Sequence, residues 1–164
     1  MTLKSYKFKG IIETILLVML LITIDQCSKI FISKIMLWSN FSNINLLPFL
    51  DIVFVRNTGV SFGMFSEGGV LGRYFFSALS LTIGTFLTIL AIASEKYFFK
   101  ISLSLISAGA IGNAIDRIYF GGVIDFIDFF VYNFHWPAFN LADSFITLGV
   151  ILMLIDNFYA QNEN

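Results

Sequence analysis

The sequence has little of the chemistry on which many soluble enzymes rely. Among its 164 residues there is one cysteine, Cys27, and one histidine, His135. One cysteine excludes an internal disulfide and a cysteine-based zinc site, and one histidine excludes a histidine-rich metal site within a single chain. The sequence also lacks a glycine-rich phosphate loop. Carboxylates remain as the main reactive groups.

Charged residues are scarce as well. They make up 13% of the chain, against about 25% in a typical soluble domain, while hydrophobic residues make up 57%. The mean hydropathy is +0.84. A soluble protein of this size could not bury so many apolar side chains, so the excess must face lipid. The net charge of −1 and the lack of a basic run give no sign of nucleic-acid binding.

Four apolar segments come close to the roughly 20 residues that cross a bilayer. They predict one integral membrane domain, 1–164, with spans at about 11–35, 74–93, 97–117 and 137–158. Two longer segments, about 36–73 and 118–136, then lie on the same side of the membrane. In the first, Phe49–Val55 is β-branched and aromatic and predicts a strand. In the second, aromatic residues suit a short interfacial helix or loop.

The basic residues set a predicted orientation. Those beside the N-terminus and between the second and third spans are Lys4, Lys7, Lys9, Lys96 and Lys100. Those on the other side are Lys34, Arg56, Arg73 and Arg117. The positive-inside rule makes the first side cytoplasmic. Both termini are therefore expected inside the cell, and both long segments outside it.

Polar residues are costly in a membrane, about 2.5–3.5 kcal/mol for an Asp or Arg at a helix centre, so their placement is informative. They gather at the outer ends of the spans and in the second outer segment: Asp25, Lys29, Asn113, Asp116, Arg117, Asp125, Asp128, Asn140 and Asp143. The spacing i, i+3, i+4 puts Asn113, Asp116 and Arg117 on one helix face. Asp143 follows Pro137 closely, near a helix N-terminus, where the helix dipole favours its charged form.

Most of these carboxylates also have a purely structural interpretation. Asp25 and Lys29 are spaced as a helix ion pair, and Asp116 adjoins Arg117. Asp51 and Asp128 are predicted to be solvated loop residues. Asp125 and Asp143 are harder to explain this way, because neither has an obvious local cation. They are therefore the strongest candidates for a catalytic role.

Two close carboxylates cannot both ionise cheaply, so they share a proton and can act as general base and general acid in amide hydrolysis. Two alternatives remain open from the residues alone. Asp116, Asp125 and Asp128 could bind Mg²⁺ for phosphoryl transfer on a lipid headgroup. The second alternative is a small transporter with a buried polar path. Transport sites usually lie at the membrane midplane, whereas these polar groups lie at one membrane edge.

The chain resembles the bacterial lipoprotein signal peptidase family, also called signal peptidase II. Five blocks match the family's motifs in order: 25–29, 57–63, 109–117, 123–127 and 137–144. Each block alone is a weak signal, whereas five in order are highly specific. The departures are small, such as Val60 where alanine is usual.

This resemblance implies an aspartic endopeptidase that cuts diacylglyceryl-modified prolipoproteins just before the lipid-bearing cysteine. It implies four helices, a small outer β-sheet resting on the membrane, and no metal or other cofactor. Asp125 and Asp143 would be the catalytic pair. The residues that shape the site or hold substrate would be Asp25, Asn57, Gly59, Asn113, Asp116, Arg117 and Asn140. We also expect a location in the bacterial inner membrane, contact with membrane lipids, no nucleic-acid partner and a monomeric state.

Overall fold

The computed structural model describes residues 3–39, 43–58 and 69–162, with side chains for 8–38, 43–58 and 69–159. Gly59 lies outside these residues. The described chain forms, in order, α1 (Leu3–Ser39), β1 (Asn43–Leu47), β2 (Leu50–Asn57), α2 (Gly69–Ala93), α3 (Tyr97–Phe120), β3 (Val123–Val131), β4 (Phe134–His135) and α4 (Leu141–Asn162).

All four helices are long and apolar enough to cross a bilayer. Large apolar side chains on their surfaces remain exposed, including Leu16 on α1, Phe75 on α2 and Leu154 on α4. Such surfaces are stable only against lipid tails. The protein is therefore a multi-pass membrane protein, and the predicted four-helix class is confirmed.

Helix α3 is the central helix, and half of the residues in its most apolar stretch are buried. Its packing face carries small residues, which let neighbouring helices approach closely. A Cβ atom added to Gly109 would overlap the carbonyl oxygen of Ala142 on α4, and one added to Gly112 would lie 2.6 Å from Asp25 Oδ2 on α1. These two glycines bring α1 and α4 onto the same end of α3.

The strands form an antiparallel sheet in the order β1-β2-β3-β4. The predicted strand at Phe49–Val55 corresponds to β2, which pairs with β3 from Leu50 opposite Phe129 to Asn57 opposite Val123. Gly121 ends α3 with φ 79°, a left-handed conformation that glycine adopts without strain. The chain can therefore turn directly from α3 into β3.

The segment between α3 and α4 was expected to be a short interfacial helix or loop, and that expectation is wrong. It forms β3 and the short β4. Its aromatic residues suit a membrane interface in either conformation, so they do not choose between helix and strand. The strand conformation is favoured by pairing with β2, which is interrupted only between Ile52 and Val55, and by β-branched residues such as Val123 and Ile124.

Candidate active site

Helix α4 begins with a reciprocal cap at the membrane edge. The backbone N–H of Asp143 donates to Asn140 Oδ1 at 3.0 Å, and the backbone N–H of Asn140 donates to Asp143 Oδ2 at 3.3 Å. This is the geometry of a capping box, with an asparagine at the N-cap and an acidic residue three positions later. The cap fixes the Asp143 side chain near the helix N-terminus. The helix starts at Leu141, later than the Pro137 start suggested by the sequence.

A β-bridge places Asn140 next to Asp125. The backbone N–H of Phe139 donates to Ile127 O at 3.0 Å, and Ile127 N–H donates back to Phe139 O at 2.8 Å. The residue after Phe139 therefore lies beside β3. Asn140 Nδ2 donates to Asp125 Oδ1 at 2.6 Å, and Asn57 Nδ2, from the end of β2, donates to Asp125 Oδ2 at 3.2 Å.

Asn113 on α3 connects the two aspartates from the opposite side. Its Nδ2 donates to Asp143 Oδ1 at 2.8 Å, and its Oδ1 accepts a longer bond from Asn140 Nδ2 at 3.3 Å. Asn140 thus contacts both carboxylate groups and Asn113. Three asparagines from β2, α3 and the start of α4 hold Asp125 and Asp143 in one hydrogen-bonded network.

An ion cluster is buried behind this network. Lys29 Nζ lies 2.8 Å from Asp25 Oδ2 and 2.8 Å from Asp116 Oδ2, and the side chains of all three residues are fully buried. Asp25 Oδ1 accepts the backbone N–H of Ala142 at 2.9 Å, in the first turn of α4. Asp116 Oδ2 accepts the backbone N–H of Ile124 at 3.2 Å. The cluster therefore ties α1 and α3 to the elements that carry Asp125 and Asp143.

A cavity of about 720 Å³ opens in front of the aspartates. Its polar side includes Asn57, Asn113, Arg117, Asp125 and Asp143. The remaining wall is mostly apolar and comes from the chain before α4 and its first two turns, with Trp136, Phe139, Ile146 and Leu148 among its residues. Such a cavity suits an extended chain that carries apolar groups past a polar reaction centre.

Arg117 supplies positive charge at this cavity. Its Nη1 donates to the backbone oxygen of Asn113 at 3.3 Å, and its guanidinium group interacts electrostatically with Asp143 and Asp125. The sequence suggested a structural ion pair between Arg117 and the adjacent Asp116. The structure shows the contact with the Asn113 carbonyl and an electrostatic interaction with Asp116, which also forms an ion pair with Lys29 at 2.8 Å.

The carboxyl group of Asp125, on β3, has a raised pKa. Its side chain is only 2% exposed. Burial raises its pKa from 3.8 to about 6, the negative charge of Asp143 adds to the increase, and the hydrogen bonds from Asn57 and Asn140 oppose it. A carboxyl group with this pKa holds a proton near neutral pH far more often than an ordinary aspartate does.

This raised pKa predicts a pH-dependent effect of Asp125→Asn on stability. The folded state binds the proton more tightly than the unfolded state does, so the stability linked to that proton is full below pH 3.8 and is lost as the pH rises through about 6. An amide does not titrate. Relative to the parent, the variant should therefore gain up to about 3 kcal/mol between pH 4 and pH 7.

Thermal unfolding in detergent at pH 4 and pH 7 measures this gain. Asp51→Asn, which removes a buried aspartate of β2 that does not line the cavity, serves as the matched control, and its stability difference from the parent should change less between the two pH values. An equal stability difference at both pH values would contradict the raised pKa of Asp125.

The structure brings most of the predicted site residues together. The residues that line the cavity or contact its carboxylates are Asp125, Asp143, Asn57, Asn113, Asn140 and Arg117. Asp25 and Asp116 lie in the ion cluster behind them.

The Mg²⁺ alternative required Asp116, Asp125 and Asp128 to converge. These three side chains do not converge, because Asp116 forms an ion pair with Lys29 and Asp128 contacts His135 at 2.8 Å. In the described part of the chain, no three Asp, Glu, His or Cys side chains form a metal-binding group.

Two aspartates expected in solvated loops lie elsewhere. Asp51 is in β2, is 4% exposed, and accepts hydrogen bonds from Asn43 and Asn45 across the sheet. Asp128 is in β3. Both expectations were wrong because the sheet that shields these side chains is assembled from segments distant in sequence.

Lys29 and Gln26 are the residues that sequence reasoning missed. Lys29 was interpreted as half of a local helix pair with Asp25, yet it also reaches α3. Gln26 Nε2 donates to Asp116 Oδ1 at 2.9 Å and to the backbone oxygen of Gly112 at 3.2 Å. The available signal was their presence in the 25–29 block, because a lysine and a glutamine inside an apolar span need polar partners on another helix.

Comparisons with known proteins point to one family. A family model described as "Signal peptidase (SPase) II" matches residues 17–159. The "Lipoprotein signal peptidase" of Thermodesulfovibrio yellowstonii is 43% identical over 157 residues, which cover 96% of this chain and 98% of that protein. The protein of the same name from Cupriavidus pinatubonensis is 38% identical over 139 residues, covering 84% of this chain and 78% of its own length.

Solved structures agree with the sequence matches. A bacterial membrane enzyme determined by the in meso method at 2.3 Å resolution superposes with a TM-score of 0.78 at 32% identity, covering 93% of this chain and 91% of that one. A second structure of this description, at 1.9 Å resolution, gives a TM-score of 0.72 at 33% identity, covering 88% and 91%.

Proposed function

Because this chain belongs to the signal peptidase II family, we propose that it removes signal peptides from lipoproteins as a membrane aspartic endopeptidase. Its substrates would be diacylglyceryl-modified prolipoproteins, cut just before the lipid-bearing cysteine. The observation that carries the catalytic assignment is that Asp125 and Asp143 line one cavity and share Asn140 as a hydrogen-bond partner.

The surroundings of the two carboxylates suggest different roles for them. Burial and the neighbouring Asp143 charge raise the pKa of Asp125 to about 6, which favours Asp125 as the partner that holds the shared proton. Asp143 accepts hydrogen bonds from Asn113 Nδ2 and from the backbone of Asn140, so both of its carboxylate oxygens act as acceptors. Asp143 is therefore proposed as the base.

The proposed reaction needs no covalent intermediate. Asp143 takes a proton from a water molecule while the water oxygen attacks the carbonyl carbon before the lipidated cysteine, and Asp125 donates its proton to the carbonyl oxygen. The resulting tetrahedral diol collapses, the C–N bond breaks, and the cysteine nitrogen takes up the proton that Asp143 had gained. The second hydroxyl proton returns to Asp125, so the pair regains its single shared proton.

The membrane placement supports this substrate class. A diacylated substrate stays in the bilayer, with its scissile bond near the headgroups, and the site lies where α3 ends and α4 begins. Water reaches that depth more readily than the bilayer centre. In this proposal the site faces the outside of the bacterial inner membrane, both termini are cytoplasmic, and a monomer suffices because one chain supplies both aspartates.

The direct test incubates purified protein with a lipid-modified prolipoprotein and follows release of the signal peptide by gel shift and mass spectrometry. We expect cleavage before the lipidated cysteine, the same rate with and without a divalent-metal chelator, and no cleavage of the unlipidated precursor. Cleavage that is lost in chelator and restored by Mg²⁺ would contradict the metal-free aspartic mechanism, and Mg²⁺-dependent phosphoryl transfer without cleavage would favour that alternative. Substrate flux into liposomes without proteolysis would favour a transporter.

A further inference from the structure

Lys29 is a buried cation to which the proposed mechanism gives no role. Its side chain extends from α1 to α3 and is fully buried, so its charge is costly without partners. Its Nζ lies within hydrogen-bond distance of three oxygens: Asp25 Oδ2 at 2.8 Å, Asp116 Oδ2 at 2.8 Å and Asn113 Oδ1 at 3.0 Å. An ammonium group can donate but cannot accept, and it here forms hydrogen bonds to Asp25 and Asn113 and an ion pair with Asp116.

The contact with Asn113 has a consequence for the amide orientation of that residue. Since Lys29 can only donate, Asn113 must turn its Oδ1 toward Nζ. Its Nδ2 then points to Asp143 and donates to Oδ1 at 2.8 Å. The reversed amide would place N–H groups against the ammonium group and an oxygen against the Asp143 carboxylate, so both contacts would become repulsive.

The side-chain amide of Asn140 is also held in one orientation, by the N-terminus of α4. Its Oδ1 accepts the backbone N–H of Asp143, which leaves its Nδ2 to donate to Asp125 Oδ1 and Asn113 Oδ1. A helix N-terminus orients Asn140, whereas Lys29 is the charged group that orients Asn113. Together they aim amide N–H groups at both carboxylates.

We propose that Lys29 is a positioning residue for the peptidase reaction, which acts through Asn113 by holding that amide in the orientation that donates to Asp143. This inference rests on the proposed function, because it concerns the reactivity of the same aspartate pair. Lys29 touches neither aspartate of the pair and is not itself a catalytic residue.

A simple Lys29→Met change would leave Asp25 and Asp116 buried without their cation, and the protein could fail to fold for that reason alone. Pairing it with Asp116→Asn removes one positive and one negative charge, so the formal charge of the cluster is unchanged. Asp116→Asn alone is the matched reference. Comparing the double variant with this reference isolates the effect of Lys29, and thermal unfolding checks that both are folded.

The kinetic test is a double-mutant cycle with Asn113→Ala in the Asp116→Asn background. Where Asn113 is present, Lys29→Met should lower kcat by about 10- to 100-fold, the range expected for losing a charge-assisted hydrogen bond, with KM changed less than about twofold. Where Asn113→Ala has been introduced, the same change should lower kcat by less than about threefold, because its target is gone. Equal losses in both backgrounds, or a rise in KM with kcat unchanged, would overturn the proposal.

A second readout does not depend on activity. In protein labelled with ¹⁵N at asparagine, the side-chain amide signal of Asn113 is assigned as the one lost in Asn113→Ala. Lys29→Met with Asp116→Asn should shift this signal relative to Asp116→Asn alone, and an unchanged signal would refute the orienting role. Absence of cleavage by the parent protein would refute the proposed function, while this spectrum would still report on Lys29.

Discussion

Asp125→Asn and Asp143→Asn are each expected to lower the rate of signal-peptide removal about 1000-fold or more. Each change preserves side-chain shape but removes a carboxyl group that must give or take a proton, a contribution of about 10²–10⁴ per group in general acid–base catalysis. Because the pair acts as a unit, the double variant should be little slower than either single variant.

The two variants should differ in stability although both are inactive. Asp125→Asn removes a buried carboxyl group whose raised pKa destabilises the folded state at neutral pH. In both variants the amide keeps one oxygen for two donors, which are Asn57 Nδ2 and Asn140 Nδ2 at position 125, and Asn113 Nδ2 and the Asn140 backbone N–H at position 143. In Asp143→Asn this loss also weakens the capping box, and no gain from a removed buried charge offsets it. We therefore expect a higher Tm for Asp125→Asn than for Asp143→Asn at pH 7.

Initial rates on a lipid-modified prolipoprotein, with Tm measured on the same preparations, check both statements. Asp51→Asn is the matched activity control, because it removes a buried, hydrogen-bonded aspartate that does not line the cavity. That variant should keep its rate within about threefold of the parent if it folds. Substantial activity in either Asp125→Asn or Asp143→Asn would refute the pair as the catalytic centre.

The second large effect is expected at Asn140. Asn140→Ala removes the N-cap of α4, worth about 1 kcal/mol, together with the donor to Asp125 Oδ1 at 2.6 Å. Both aspartates lose a fixed neighbour at once. We expect kcat to fall about 100-fold or more and the Tm to fall measurably.

Asn140→Ser separates the two roles of this residue. A serine hydroxyl can cap α4 by accepting the Asp143 N–H, but it cannot also reach Asp125 as the longer amide does. Stability should return close to that of the parent while kcat stays low. If Asn140→Ser restored both stability and kcat, then Asn140 would matter only as a helix cap.

The sequence by itself determined the membrane helices and named the catalytic candidates. Long apolar runs must form helices in a bilayer because every backbone N–H and C=O group needs an internal partner. This reasoning is local, which explains why the four spans were predicted while their ends were not. Asp125 and Asp143 were singled out because each lacked a local cation, and the family motifs then assigned them together.

Only the tertiary structure decided the pairing of groups that are distant in the chain. Lys29 reaches Asp116 and Asn113 because Gly112 lets α1 approach α3, and helical spacing shows only its contact with Asp25. Likewise, β3 forms because β2 offers it an edge. Hydrogen bonds and ion pairs act over about 3 Å. Which polar groups meet at that range depends on how the helices and strands pack, which local sequence pattern does not specify.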